Sequence, residues 1–139
     1  TQFWFYMFGY ENGKITTVRN KTKGFDEFLS DKLTWNGDNV STLTEYNLNG
    51  QVAMTWSYDD YTSHDNVWHY IRHPFGTDLT WFYLDVIKLS KNAPGRYADK
   101  DDNWTKVTYT EGSNGLIERI DMVDIHDQKY ERYIHWDCD

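Results

Sequence analysis

The chain has 139 residues, the size of one ordinary domain, which leaves no room for a second independent core. Its formal net charge of −8, from 14 Lys+Arg against 22 Asp+Glu, repels phosphate backbones and excludes nucleic acid as a partner. Aromatic residues make up 18% of the sequence, which excludes disorder, and a mean hydropathy of −0.82 suits sheets with one packed and one solvated face. The lone Cys138 offers neither an intrachain disulfide nor a Cys-based zinc site. No stretch approaches the ~20 apolar residues of a membrane-spanning helix. The sequence begins at Thr1, so any signal peptide or lipid-anchor cysteine would lie upstream of it.

In chain order, the first predicted strand runs from Gln2 to Gly9. Phe3 and Phe5 fall on one face and Trp4, Tyr6 and Phe8 on the other, which predicts a strand covered on both sides or lining a groove. Four Asn-Gly pairs then punctuate the sequence, at Asn12-Gly13, Asn36-Gly37, Asn49-Gly50 and Asn114-Gly115. Both central residues of a type I′ turn need positive φ, which Asn tolerates and Gly adopts freely, so each pair predicts a β-hairpin. Aromatics precede the turns (Tyr10, Trp35, Tyr46, Tyr109) and apolar residues follow them (Ile15, Val40, Val52, Leu116). Ile15/Val18, Val40/Leu43 and Ile117/Ile120 are spaced three apart, which breaks a period of two. A bulge after each turn would restore the face.

Residues 57–78 read as a long irregular connection, the natural place for a pocket. From Asp78, a plausible N-cap, the apolar residues Leu79, Phe82, Tyr83, Val86 and Ile87 follow helical spacing, and Asn92 to Gly95 supplies a stop. A short helical insertion near residues 78–90 is therefore predicted. Strands resume at Trp104–Thr110, Leu116–Asp124 and Lys129–Trp136, the last two joined by a hairpin at His126 to Gln128. The densest acidic patch, Asp99-Lys100-Asp101-Asp102, reads as solvated surface.

The predicted whole is a single all-β domain, residues 1–139, built as a curved antiparallel β-meander, a partly open sheet or barrel. Its motifs build turns, and no catalytic constellation stands out. His69 and His73, four apart, would share a helix face, but Pro74 follows at once and no His-Glu-x-x-His motif is present, so no metal and no cofactor are assigned. No serine lies in Gly-x-Ser-x-Gly, so no catalytic residue is assigned either. A hydrolase whose carboxylates come from separate strands leaves no local signature and stays open as an alternative. The aromatic surplus (Trp4, Tyr6, Trp35, Trp56, Tyr58, Tyr61, Trp68, Trp81, Trp104) suits either a thin sheet core or a face that stacks on sugars or grips peptides. Three Asn-x-Ser/Thr sequons stand at Asn20, Asn39 and Asn103.

The stretch Tyr10-Glu11-Asn12-Gly13-Lys14-Ile15-Thr16-Thr17-Val18 resembles the hairpin unit of YD/RHS-type repeats. The layout as a whole is similar to a family of bacterial envelope lipoproteins without an established activity, in which YD-like hairpins form a porin-like meander. The similarity runs through Trp56-Ser57-Tyr58-Asp59, His73-Pro74-Phe75, Leu89-Ser90-Lys91-Asn92-Ala93-Pro94 and Lys106-Val107-Thr108-Tyr109. The family's usual Asn-Pro-Phe and Ser-Lys-Asn-Asn-Pro are altered here at His73 and Ala93. The resemblance implies a secreted or outer-membrane-anchored domain that does not itself span the membrane. The aromatic surplus, combined with no catalytic constellation, favours a non-catalytic binding module whose partner is a glycan, a peptide or an envelope protein.

Overall fold

The structure, a computed structural model, describes residues 4–22, 24, 26–70 and 89–136. Nine strands follow one another in a single antiparallel sheet whose spatial order is the chain order. They are β1 (Trp4–Glu11), β2 (Lys14–Thr22), β3 (Phe28–Asn36), β4 (Asn39–Tyr46), β5 (Val52–Asp59), β6 (Arg96–Asp99), β7 (Trp104–Glu111), β8 (Ile117–Asp124) and β9 (Lys129–Tyr133). Among the described residues β1 and β9 do not pair with each other, so the predicted meander is an open sheet rather than a closed barrel. The helical insertion predicted near residues 78–90 falls largely outside the described residues. The described residues include one short 3-10 turn, Val67–Tyr70.

Turn chemistry explains the connections. Asn12 and Gly13 carry φ of 51° and 78°, the type I′ signature that the dipeptide predicts. At the β3–β4 hairpin the turn is centred one residue later than the Asn-Gly pair. Gly37 has φ 56° and Asp38 does not, the pattern of a type II′ turn at Gly37-Asp38. Four further hairpins share a five-residue turn, residues 47–51, 99–103, 112–116 and 124–128, in which the fourth residue is left-handed: Gly50, Asp102, Gly115 and Asp127, with φ of 74°, 57°, 77° and 59°. In each, that residue's N–H donates to the carbonyl of the first loop residue, at 2.9 to 3.1 Å. In three of the loops the first residue's Oδ1 also accepts two backbone N–H groups: Asn47 from Asn49 and Gln51, Asp99 from Asp101 and Asn103, Asp124 from His126 and Gln128. The acidic patch at Asp99–Asp102 is therefore the scaffold of a hairpin. The Asn103 side chain, and then its backbone N–H, hold the Asp99 carboxyl below the usual carboxylate range.

The predicted bulges are present in all four Asn-Gly hairpins. Register shifts leave one extra residue on the returning strand: Thr16, Ser41, Ala53 and Glu118. Ile15 and Val18, Val40 and Leu43, and Ile117 and Ile120 thereby point to one side despite their spacing of three. Val52 and Met54, by contrast, land on opposite faces because Ala53 is the extra residue between them. A Cβ added at Gly13 or Gly115 meets nothing within 4 Å, so these positions isolate the backbone term. Gly13→Val and Gly115→Val are each expected to cost about 1–3 kcal/mol in urea unfolding, from positive φ alone. Variants that unfold at the parent's midpoint would remove the requirement for left-handed backbone at these turns.

One face of the sheet packs and the other is largely solvated, as alternation in the strands dictates. Val18, Leu33 and Val40 form one buried cluster. Val107, Ile117, Ile120 and Met122 form another with Val67, Trp68 and Ala93 from the β5–β6 connection. Tyr58, midway along the sheet, packs against both. The opposite face carries Thr17, Lys32, Thr34, Thr42, Thr44, Lys106, Thr108 and Arg119.

The β5–β6 connection folds back over the packed face instead of looping into solvent. Its two described arms are tied to each other by Thr62 N–H to Ala93 O (3.0 Å) and Asn66 N–H to Lys91 O (3.0 Å). Ser90 Oγ accepts the Val40 N–H at 2.9 Å, and the Tyr61 hydroxyl donates to Val40 O. Asn39 and Asn92 exchange bonds, with Asn92 N–H donating to Asn39 Oδ1 at 2.8 Å. At the other end fully buried Trp68 donates its indole N–H to the Tyr109 hydroxyl (2.8 Å), which itself donates to Pro94 O (2.8 Å). The Leu89–Pro94 segment thus docks as a clasp joining the β3–β4 hairpin to β7 and β8.

Candidate functional site

Most of the aromatic surplus serves the fold. Trp68 is fully buried. Trp35 is half-buried and donates to Ile15 O at 2.8 Å, Trp56 is half-buried and donates to Glu45 Oε1 at 3.1 Å, and Trp104 sits under the Lys106 ammonium. Tyr58 and Tyr61 are half-buried between the sheet and the clasp. Trp81 and the side chain of Trp4 lie outside the described residues.

The exposed rings are concentrated on β1. Tyr6, Phe8 and Tyr10 are 37%, 41% and 62% exposed on the packed face, and Phe5 and Met7 are 58% and 38% exposed on the other. The expectation that this strand is covered on both sides is therefore overturned. β1 is the edge of the sheet, while the described parts of the clasp bond to the β3–β4 hairpin and pack at β7–β8.

Inboard of the Tyr6–Phe8–Tyr10 row, the same face carries a group of oxygen acceptors. Asp31 and Glu45 are direct cross-strand partners on β3 and β4. Asp31 is 4% exposed and Asn20, on β2, is 5% exposed. Burial pushes the Asp31 carboxyl up to about 6; the Ser30 hydroxyl, 2.8 Å from its Oδ2, works against the rise, and the Glu45 charge adds to it. Ser30 Oγ also lies 3.0 Å from Val18 O and has one proton to give. The Ser30 hydroxyl is thus shared as donor between Asp31 Oδ2 and Val18 O. Asn20 Oδ1 is buried with no hydrogen-bond partner among the described residues.

These acceptors did not stand out in the sequence. The available signal was the alternation Asp31-x-Leu33-x-Trp35, which places a carboxylate in an apolar slot once the hairpin at residues 36–37 is accepted. The sequon asparagines are all committed to the fold. Asn20 is buried, Asn39 bonds Asn92, and Asn103 donates to Asp99 Oδ2 at 2.8 Å.

Among the described residues the histidines are not gathered. His64 Nδ1 lies 2.7 Å from Glu111 Oε1, while His73 and the side chain of His69 lie outside the described residues. Among the described residues no three His, Cys, Asp or Glu side chains converge as a metal site, and no helix is long and apolar enough to cross a membrane. Cys138 lies outside the described residues.

No family model matches the chain, and no curated protein matches it. Two solved structures are similar. A porin-like protein from Bacteroides uniformis ATCC 8492 aligns with a TM-score of 0.44 and 13% identity, over 86% of this chain and 63% of that one. A porin-like protein from Bacteroides vulgatus ATCC 8482 aligns with a TM-score of 0.34 and 12% identity, over 89% of this chain and 73% of that one. The chain spans less than two thirds of the length of the first of these proteins.

Proposed function

We propose that this chain is a non-catalytic binding module of a bacterial envelope protein, taking its ligand on the Tyr6–Phe8–Tyr10 row of the packed face. The observation that carries the reading is the exposure of these three rings on the side of the sheet that elsewhere forms the core. Aromatic rings with a polar edge stack on the apolar faces of sugars and on extended peptides. A glycan is the favoured ligand, a peptide the next. The envelope location, with an upstream lipid anchor, rests on the resemblance of the hairpin units and the Leu89–Pro94 segment to envelope lipoproteins.

Glycan- and peptide-array screening, followed by calorimetry on the hits, tests this reading. Tyr6→Ala and Phe8→Ala are each expected to weaken binding about tenfold while leaving the melting temperature near that of the parent, since both rings are exposed. An absence of hits, or hits indifferent to both substitutions, would sink it.

A hydrolase reading draws on the Asp31–Glu45 pair, a raised carboxyl beside a second one. Their surroundings argue for a structural role. Asp31 is too deeply buried to meet a substrate, and Glu45 holds the Trp56 indole.

A further inference from the structure

We infer that Asn36-Gly37 is a self-modifying site, at which Asn36 deamidates through a cyclic imide in preference to the other three Asn-Gly pairs. The reaction is intramolecular. The Gly37 backbone nitrogen gives up its proton and attacks Cγ of the Asn36 carboxamide, forming a C–N bond and closing a succinimide ring. The Cγ–Nδ2 bond breaks, and Nδ2 leaves as ammonia with that proton. Water then opens the ring at either of its carbonyls, leaving an aspartate or an isoaspartate at position 36. Glycine favours the attack because no Cβ hinders its nitrogen.

The two hairpin types sort the four pairs by the state of the attacking nitrogen. In the five-residue turns that nitrogen is engaged: Gly50 N–H donates to Asn47 O at 2.9 Å and Gly115 N–H to Gly112 O at 3.1 Å. A nitrogen so bonded holds both its proton and its position. The Asn114 side chain is fixed as well, its Oδ1 accepting Leu116 N–H at 3.0 Å. The two-residue turns close without using either central N–H. Gly13 and Gly37 accordingly have no backbone acceptor among the described residues.

Backbone conformation separates these last two. The ring closes when the glycine nitrogen swings toward Cβ of the asparagine, nearly eclipsing it about the Cα–C bond. A left-handed residue, with ψ of about +47°, sets that nitrogen almost opposite Cβ. Asn12, with φ of 51°, is such a residue. Asn36 is the last residue of β3, and an extended ψ of about +135° leaves its nitrogen much nearer the side chain. Asn36 and Gly37 are both exposed, so water reaches the ring.

The site lies where the clasp is anchored. Asp38 O accepts Lys91 N–H at 3.0 Å, Asn39 Oδ1 accepts Asn92 N–H at 2.8 Å, and Val40 N–H donates to Ser90 Oγ at 2.9 Å. An isoaspartate adds a methylene to the backbone beside the Asn36–Asn39 closing pair, and so loosens the hairpin end on which the clasp rests.

Incubating the whole folded chain at mildly basic pH, with peptide mapping by mass spectrometry over time, tests the inference. Position 36 is expected to convert from amide to acid at least about fivefold faster than Asn12, Asn49 or Asn114. In denaturing urea the four rates are expected to converge, since the turns no longer distinguish them. Asn36→Gln, whose longer side chain disfavours the ring, is expected to remove most of the acidic species that ion exchange resolves. Equal rates at the four pairs of the folded chain, or a faster pair elsewhere, overturn the inference. Acidic species accumulating in Asn36→Gln at the parent's rate do the same, and a ranking that persists in urea overturns its structural cause. The isoaspartate fraction is expected to unfold at a lower urea midpoint than the parent; an equal midpoint overturns the effect on the clasp.

Discussion

Trp68→Ala is expected to destabilise the protein by about 3–5 kcal/mol, the largest loss of any single substitution considered. The indole is fully buried, anchors the cluster built from Val107, Ile117, Ile120 and Met122, and stands edge-on to Tyr109 with ring centres 6.4 Å apart. Its removal leaves a cavity between the clasp and the sheet and takes the donor away from the Tyr109 hydroxyl. Two further variants separate packing from hydrogen bonding. Trp68→Phe keeps most of the apolar volume and loses the N–H, and Tyr109→Phe loses the hydroxyl that links Trp68 to Pro94 O. Each is expected to cost about 1–3 kcal/mol, and the double variant less than the sum, because the two groups form one chain of bonds. Urea unfolding reads all of these. If Trp68→Ala unfolds at the parent's midpoint, the β5–β6 connection is not docked on the sheet.

Asp31→Asn is expected to stabilise the protein at neutral pH and to flatten part of its pH dependence. The carboxyl titrates near 3.8 when unfolded and at about 6 when folded, because burial disfavours its charge. A raised folded value means the native state holds the proton more tightly. The stability contributed by Asp31 is therefore complete below pH 3.8 and is lost as pH rises through about 6. The full shift corresponds to about 3 kcal/mol; the site is not wholly desolvated, so about 1–2 kcal/mol is expected. Measured as the difference between variant and parent, Asp31→Asn should gain this amount between about pH 4 and pH 7.5. The Asn amide can also donate to Glu45, the cross-strand neighbour. A difference that is constant over this range would remove Asp31 as the titrating group.

The raised Asp31 and the docked Trp68 sit on the same face for one reason. A nine-stranded open sheet of this length has a single apolar side, and whatever the alternation places there must be buried by the chain's own connections. Asp31 occupies an apolar slot between Leu33 and the Ser30 bulge, so it is carried into the interior by its neighbours rather than by its own chemistry. The β5–β6 connection supplies part of the cover. Ser90 Oγ accepts the Val40 N–H, Asn92 N–H donates to the Asn39 side chain, and Pro94 O accepts from the Tyr109 hydroxyl.

The amino-acid sequence by itself determined the hairpins. Asn12-Gly13 requires left-handed backbone, and the spacing of three between Ile15 and Val18 requires a bulge; both are local steric facts, indifferent to the rest of the chain. The same locality misled at Asn36-Gly37, where the turn slid one residue to Gly37-Asp38, because either centre satisfies a glycine at positive φ. It was silent at Asp99–Asn103, where an Asp takes the left-handed place of Gly and leaves only a run of charges to read. Tertiary structure alone decided which aromatics are core and which are surface. Trp68 and Tyr10 are equally apolar in the sequence, but one lies under a clasp formed across 41 residues of separation and the other lies on an edge. Burial is a property of what a residue meets, and in a meander every long-range meeting is set by where the connection between β5 and β6 comes down on the sheet.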